Sequence, residues 1–219
     1  MNTTPMQPNR RIVDLSLKID NTMRKVSITP ANTIAEHGWN ATTLSLYSHA
    51  GTHMDAPRHF LNDGRCIDQQ ALEICCGPAK VINLTPVASR ELITVERLKP
   101  WHDRIQAGDR LLLRTDWHRL HGTPAYRDEL PRISPELARW LVEKQVALVG
   151  VEPPSVADVN NMRELTEVHQ TLFRGNVLII EGLAHLNELH QDEVELIALP
   201  LKIADGDGSP VRAIAIEQF

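Results

Sequence analysis

Two stretches of the chain alternate apolar and polar residues with a period of two. They cover residues 11–17 and 42–48, and in the second stretch Leu44 and Leu46 fall on one face. Because this period is typical of half-buried strands, each stretch is predicted to be a strand. Residues 20–39, between them, show no period and are interpreted as a long irregular connection, a type of segment that often serves as a binding loop.

Other segments are richer in apolar residues and predict strands inside the fold. The run 110–115, with its three consecutive leucines, should be buried on both faces. Closing strands are expected at 193–203 and 211–217, and the acidic segment 205–208 between them is interpreted as a plain turn, since it lacks the spacing of a calcium loop. The remaining predicted strands are 79–84, 146–151 and 177–180.

Helical signals are clearest at two places. Ser134, followed by Pro-Glu, marks the start of a helix that should run to about Lys144. Residues 163–173 have apolar side chains at helical spacing, and Gly175 suits the position just past a helix end. Strands outnumber helices but alternate with some of them, so the pattern favours an α/β domain with a mixed sheet.

Length and composition are those of one globular domain. The 219 residues are 42% hydrophobic and 23% charged, with a net charge of -5 that gives no reason to expect nucleic acid or an anionic membrane as partner. Residues 1–10 are polar and lack the apolar run of a signal peptide, so we expect a flexible tail, a single domain over 11–219 and a cytoplasmic protein. The three cysteines are expected to be buried thiols.

The most informative segment reads His-Ala-Gly-Thr-His-Met-Asp-Ala-Pro-Arg-His, from His49 to His59. Imidazole and carboxylate are the ligand types that zinc and manganese accept. A straight strand would hold the Cα atoms of His49 and His53 about 13 Å apart, too far for both to reach one ion. The backbone is therefore predicted to bend, most naturally at Gly51. The alternative interpretation is a polar surface loop.

Two residues further along the chain could complete such a site. His169 lies beside the apolar stripe of its predicted helix, and Glu181 ends a buried strand, where a charge needs a partner. A core histidine and a capped strand end explain these two positions equally well. The other histidines sit in polar surroundings and are interpreted as surface residues: His37, His102, His118, His121, His185 and His190.

These segments together resemble the metal-dependent cyclase family, which includes bacterial kynurenine formamidase and isatin hydrolase. The chain matches every fixed position of the string His-x-Gly-Thr-His-x-Asp-x-Pro-x-His, and the similarity runs in order from about Val13 to Glu217. It extends over the segments 148–155, 177–183 and 196–203 and the helix that carries His169. The resemblance implies an α/β fold of the swivelling β/β/α type, assembled as a homodimer or homotetramer.

The resemblance also implies roles for individual residues. His49, His53 and Asp55 look like ligands of one metal and His169 like a ligand of a second, with Asp55 and Glu181 bridging the two. Five candidate ligands exceed the three that a single catalytic zinc commonly keeps, which also favours two ions. Zinc is the expected cofactor, with manganese as the alternative.

The activity implied is hydrolysis of an amide or formamide bond in a small molecule, with His59 as the acid/base. Metal-activated water would attack the carbonyl, and an imidazole suits the proton transfer. Two alternatives use the same site: a cyclase or lyase reaction, and hydrolysis of a cyclic amide of the isatin type. A non-enzymatic metal-binding module is the third, although structural zinc sites are typically closed and rich in Cys.

Two departures from the family put the substrate in question. Kynurenine formamidases of the family carry a Trp-Pro-Gly-Asp stretch that helps form the aryl pocket, and residues 20–27 here have none of it. Trp39 is a candidate replacement wall, although a plain core or surface tryptophan is an equal interpretation. Glu152 stands where relatives commonly carry Asp.

Overall fold

A computed structural model describes residues 10–219. The expected tail lies outside the described residues except for Arg10, which is already part of the first strand. The strands are β1 (Arg10–Asp14), β2 (Ser27–Asn32), β3 (Ala41–Ser45), β4 (His53–Asp55), β5 (Cys76–Asn83), β6 (Leu92–Ile93), β7 (Arg110–Arg114), β8 (Arg132–Ile133), β9 (Leu148–Val151), β10 (Leu178–Glu181), β11 (Glu193–Ile197), β12 (Gly208–Pro210) and β13 (Ile214–Gln218). The α-helices are α1 (Ile34–His37), α2 (Leu72–Cys75), α3 (Pro124–Asp128), α4 (Pro135–Glu143) and α5 (Met162–Arg174), and short 3-10 helices span Pro57–His59, Ile67–Gln69, Val95–Trp101, Trp117–Leu120 and Leu186–Glu188.

Nine strands form one mixed sheet in the order β1-β13-β11-β5-β7-β9-β10-β4-β12. The four central strands β5, β7, β9 and β10 are parallel to one another. The strands on both sides of this centre pair antiparallel. The prediction of an α/β fold with a mixed sheet is therefore confirmed.

Side-chain alternation divides the core between the two faces of the sheet. On β7, Leu112 belongs to the cluster that also contains Leu148 and Ile180. Its neighbours Leu111 and Leu113 belong to the other cluster, which α4 and α5 cover. Because successive side chains of a strand point to opposite faces, a fully apolar run supplies both layers.

The sheet curls so that the segment after β1 meets the segment after β10. Ser16 and Leu183 form an antiparallel bridge. The Ala184 N–H donates to the Leu15 carbonyl, and the Leu15 N–H donates to the Ala213 carbonyl, both at 2.9 Å. These bonds fix the carboxyl end of β10, where the candidate ligand Glu181 lies.

The helix predictions are confirmed, and the predicted capping residues stand at the ends of the helices. The Ser134 hydroxyl accepts a 3.0 Å hydrogen bond from the Leu137 N–H at the start of α4. The helix predicted over 163–173 is α5, with Gly175 directly after its last residue. None of the helices in residues 10–219 combines the length and the apolarity that crossing a membrane requires.

The interpretation of residues 20–39 as irregular is wrong in part. The segment contains α1 and β2, and β2 pairs with β3 in a separate two-stranded sheet. Most of this hairpin is exposed, including Leu44 at 58%. Because neither face of β2 is buried, its sequence lacks the alternation of apolar and polar residues that predicts a strand. The strand predicted over 193–203 also ends early, at Ile197.

Candidate metal centre

Strand β4 presents two of the candidate ligands on one face. His53 and Asp55 are two residues apart, so their side chains share a face, while Met54 between them points into the opposite core cluster. β4 lies between β10 and β12 in the sheet. Asp55 is fully buried and His53 is only 3% exposed. The site therefore lies on the face of the sheet that α5 covers.

The chain bends before β4, as the spacing of the histidines required. Gly51 has a φ of +61°, in the left-handed region that favours glycine. The bend returns His49 toward the strand, so that the rings of His49 and His53 meet edge to face with centroids 5.2 Å apart. The predicted bend at Gly51 is thus present.

The crossover from β9 through α5 to β10 supplies the other two candidate ligands. The parallel pairing of β9 and β10 places α5 against the sheet. His169 lies on the buried stripe of α5 and is 1% exposed. Glu181, the last residue of β10, is 4% exposed and stands directly opposite His53 in the antiparallel pair of β10 and β4.

The five side chains meet around two buried carboxylates. His49 Nδ1 lies 2.7 Å from Asp55 Oδ1. His53 Nε2 is 3.4 Å from Asp55 Oδ1 and 3.3 Å from Glu181 Oε2. His169 Nε2 is 3.6 Å from Asp55 Oδ2 and 3.4 Å from Glu181 Oε1. The structure thus brings together all five residues that the sequence suggested.

Backbone carbonyls orient two of the histidines. The His53 Nδ1–H donates to the Gly51 carbonyl at 2.9 Å, and the His169 Nδ1–H donates to the Leu165 carbonyl at 2.7 Å. In both rings this bond leaves Nε2 facing the carboxylates. Fixing one ring nitrogen in this way is the usual arrangement of a metal-ligating histidine.

The two buried carboxylates of the cluster favour positive charge beside them. Burial alone would lower the pKa of His169, but the nearby carboxylates of Asp55 and Glu181 outweigh burial and raise it to about 10. For the same reason the pKa of His49, beside Asp55, is raised to about 9. Asp55 Oδ2 is buried without a hydrogen-bond partner. A divalent ion would satisfy that oxygen and take the place of the protons on the imidazoles, so the residues present fit a metal centre.

His59 lies beside this cluster on the 3-10 turn that follows β4. Its ring stacks on His49 with centroids 3.9 Å apart, and its side chain is 25% exposed. Burial lowers the pKa of His59 and is opposed by the charge of Asp55. The ligand atoms of His49, Asp55 and His59 lie within 4.8 Å of one another, as do those of His53, Asp55 and Glu181. Asp55 is thus common to two potential ion positions.

The cluster opens into a cavity of about 630 Å³. His59, His53 and Glu181 belong to its lining. Arg24 and Arg127 also line the cavity and bring positive charge to it. The apolar part of the wall includes Leu17, Met23, Tyr47, Phe60, Tyr126 and Met162.

A family model described as "Putative cyclase" matches residues 13–158. This chain belongs to the cyclase family of metal-dependent hydrolases. It is 38% identical to a kynurenine formamidase of Bacillus mycoides over 175 residues, which are 80% of this chain and 79% of the relative. A kynurenine formamidase of Bacillus cereus is 37% identical over the same shares.

Solved structures with the cyclase-family fold superpose on nearly the whole chain. An isatin hydrolase bound to the product analogue thioisatinate superposes with a TM-score of 0.87 at 25% identity, covering 96% of this chain and 93% of the other. A potential metal-dependent hydrolase with cyclase activity gives a TM-score of 0.79 at 28% identity, covering 96% and 99%. The family predicted from the motif is confirmed.

Trp39 is the one candidate that the fold does not bring to the centre of this cyclase-family chain. It follows α1 in the exposed hairpin and is 57% exposed. The cavity lining does not include it. Tyr47, at the start of the turn into the motif, lines the cavity and supplies an aromatic wall instead.

Two histidines that were predicted to be surface residues contact a buried carboxylate or line the cavity instead. The side chain of His118 is only 9% exposed, and its Nδ1 lies 2.8 Å from Oε1 of the fully buried Glu152. Glu152 also accepts a 2.7 Å hydrogen bond from the Thr115 N–H. His121 lines the cavity. No local pattern could have revealed this, because the partners follow β7 and β9, strands that are distant in sequence.

The acidic segment interpreted as a plain turn contributes a further group to the site. Asp207 Oδ2 lies 3.1 Å from His49 Nε2 and 3.6 Å from His59 Nδ1. Burial would raise the pKa of Asp207, but its hydrogen bond with His49 and the charge of that ring lower it. The residue reaches the cluster because β12, which follows it, pairs with β4.

Proposed function

We propose that this chain hydrolyses the formamide bond of a small N-formyl aryl amine. The broader activity is that of a metal-dependent hydrolase acting on a carbon-nitrogen bond other than a peptide bond. The similarity to kynurenine formamidases and isatin hydrolases indicates this activity. One observation carries the proposal: a cluster of three histidines and two carboxylates, with little solvent exposure, adjoins a cavity with apolar walls. The 38% identity to kynurenine formamidase favours a formamide.

His49, His53, Asp55, His169 and Glu181 would hold divalent ions, and we propose zinc, with manganese as the alternative. Such an ion supplies a water with a pKa near 7 and polarises the substrate carbonyl. A centre with an accessible cavity supports catalysis over a closed structural role.

His59 is proposed to move the proton. Burial lowers its pKa, so the ring is neutral at pH 7 and able to accept a proton from the attacking water. It then donates this proton to the nitrogen of the leaving amine. Its partial exposure, 25% of the side chain, gives it access to the cavity and to substrate.

The cavity wall supports a flat apolar substrate. Tyr47, Phe60 and Tyr126 offer aromatic surface for a ring. Arg24 and Arg127 favour a substrate that also carries an anionic group, such as a carboxylate. The Arg127 guanidinium donates to Asp128 Oδ1 at 3.0 Å and to Asn160 Oδ1 at 3.1 Å, and these contacts orient it.

A panel of substrates with defined metals tests the proposal. Metal-free protein is reloaded with Zn²⁺ or Mn²⁺ and assayed with N-formyl aryl amines with and without a carboxylate, cyclic amides and lactones. We expect hydrolysis of simple activated formamides, with N-formylkynurenine cleaved less efficiently than by a dedicated formamidase, since the Trp-Pro-Gly-Asp stretch is missing. N-formylkynurenine as the best substrate would refute the specificity argument. Turnover of lactones alone would refute amide hydrolysis.

A second candidate is hydrolysis of a cyclic amide. It is supported by the TM-score of 0.87 with an isatin hydrolase over 96% of this chain. The same water attack opens a ring in place of releasing formate, so the cyclic-amide arm of the panel separates the two activities. A cyclase or lyase reaction would instead give a product with no added water.

We also propose that the chain forms a homodimer or homotetramer. Leu199, Leu201 and Ile203 are 45%, 57% and 40% exposed and follow one another at alternate positions. Apolar side chains exposed in series support a protein-protein contact. Light scattering on the purified protein measures the mass, and a monomer at micromolar concentration would contradict the proposal.

A further inference from the structure

Asp207 stands outside the proposed ligand set and yet contacts it. Its Oδ2 lies 3.1 Å from His49 Nε2, at the end of that ring that faces away from Asp55. The side chain of Asp207 is 45% exposed, and that of His49 is 7% exposed. The distance from Asp207 Oδ2 to His59 Nδ1 is 3.6 Å, too long for a hydrogen bond. The direct partner of Asp207 is therefore His49.

His49 differs from the other two buried histidines in its outer partner. His53 and His169 each donate one ring N–H to a backbone carbonyl. His49 donates its outer Nε2–H to a carboxylate, and its Nδ1 faces Asp55 Oδ1 at 2.7 Å. A carboxylate holds the tautomer and increases the basicity of the opposite ring nitrogen more strongly than a neutral carbonyl.

The turn that carries Asp207 is held firmly against His49. A Cβ at Gly208 would lie 2.7 Å from His49 Cε1, so the backbone touches the edge of the ring. The Ala56 N–H donates to the Asp207 carbonyl at 3.0 Å, directly after β4. The Ile67 N–H donates to the Gly206 carbonyl at 2.8 Å. These contacts fix the backbone of the turn from which the Asp207 carboxylate reaches His49.

We propose that Asp207 is a positioning residue that presents Nδ1 of His49 to the divalent ion shared with Asp55. The inference rests on the proposed metal-dependent function and assigns to the turn 205–208 a share in ion affinity. Asp207 does not bind the ion. It acts through His49, by holding the ring in one tautomer and one orientation.

Calorimetric titration of metal-free protein with Zn²⁺ alone tests this, without any substrate. Outer-shell partners of ligating histidines typically contribute 10- to 100-fold in metal affinity. We expect Asp207→Ala to weaken one of the binding events by about that factor and to leave the other unchanged. Asp207→Asn, which keeps an acceptor but loses the charge, should lie between Asp207→Ala and the unmodified protein.

Asp205→Asn is the matched control, because Asp205 lies in the same turn and is exposed. Asp205 has a φ of +55°, which asparagine tolerates, so this variant keeps the turn. Thermal unfolding of each metal-free variant shows whether it is folded, and Asp207→Asn, nearly identical in shape, preserves the test if Asp207→Ala does not fold. Titration with Co²⁺ gives a second readout, since its visible absorption bands report the geometry of the ligands.

Unchanged Zn²⁺ affinity and unchanged Co²⁺ bands in both Asp207 variants would overturn the inference. An equal loss in Asp205→Asn would also overturn it, because the effect would then belong to the charge of the turn as a whole. The results distinguish a failure of the proposed function from a failure of the role assigned to Asp207. If the unmodified protein binds Zn²⁺ but hydrolyses no amide, the proposed function fails and the role of Asp207 stands. If the unmodified protein binds neither Zn²⁺ nor Mn²⁺, both fail.

Discussion

Glu181 and His53 are direct cross-strand partners in the antiparallel pair of β10 and β4. His53 Nε2 lies 3.3 Å from Glu181 Oε2, and the register that joins them also pairs Ile179 with Asp55. A slip of one residue would turn His53 and Asp55 to the opposite face and break up the cluster. The geometry of the centre is therefore a property of strand register.

His53→Ala should remove most of the bound metal. His53 Nε2 is near both carboxylates, and the ring is 3% exposed, so alanine removes a nitrogen donor from the centre of the cluster. Metal content after dialysis, measured by mass spectrometry, checks this. His102→Ala is the control, since the His102 side chain is 44% exposed. Full metal content and full activity in His53→Ala would remove His53 from the ligand set.

His59→Ala should keep its metal and lose hydrolysis. A general acid/base contributes about a hundredfold to ten-thousandfold in rate, and kcat should fall by that factor. Metal analysis and steady-state kinetics on one preparation measure both quantities. His121→Ala is the control, because His121 lines the same cavity but has no assigned role in proton transfer. Unchanged turnover in His59→Ala would contradict the assigned role.

Gly182→Ala should destabilise the fold at the point where β10 meets the motif. Gly182 has a φ of +67°, and its Cβ would lie 2.6 Å from the Gly51 carbonyl oxygen. The left-handed backbone costs about 1–2 kcal/mol for alanine. The clash adds about 1–3 kcal/mol. Urea unfolding measures the sum.

Gly122→Ala separates these two contributions. Gly122 has a φ of +84° but no atom within 4 Å of its Cβ position, so only the backbone cost applies. Equal losses of unfolding free energy in Gly122→Ala and Gly182→Ala would show that the contact with Gly51 is unimportant.

Glu217→Gln should destabilise the protein relative to the unmodified chain, and the loss should be larger at neutral pH than at acid pH. The Glu217 side chain is fully buried. Burial raises its pKa, but hydrogen bonds from the His190 and Gln191 N–H groups and from Arg11 outweigh burial and lower the pKa below 4.5. A carboxylate with a depressed folded pKa stabilises the fold above its unfolded pKa, and this stability is lost as pH falls through the folded pKa.

The difference in unfolding free energy between Glu217→Gln and the unmodified protein should be about 1.5–3 kcal/mol at pH 7. It should shrink as the pH falls below about 4.5. Urea unfolding at several pH values measures it. Glu195→Gln on the neighbouring β11 is the control, since Glu195 is half-buried and has no side-chain hydrogen bond within residues 10–219. A difference independent of pH would contradict the ionised state of Glu217.

The sequence by itself determined the local features of this protein. The alternation of apolar side chains predicted the buried strands, and a Ser-Pro-Glu start predicted α4, because these signals depend on neighbours within a few residues. His49, His53 and Asp55 could also be recognised as candidate ligands, since they share one short segment with a glycine at its bend.

Tertiary structure decided what depends on contacts between distant segments. The hairpin of β2 and β3 left no burial period in the sequence because neither of its faces is covered. Trp39, a large apolar residue near the motif, lies outside the cavity. Asp207 reaches His49 from 158 positions along the chain. That approach is set by the pairing of β12 with β4, and strand pairing is a choice among long-range registers that local residue patterns do not specify.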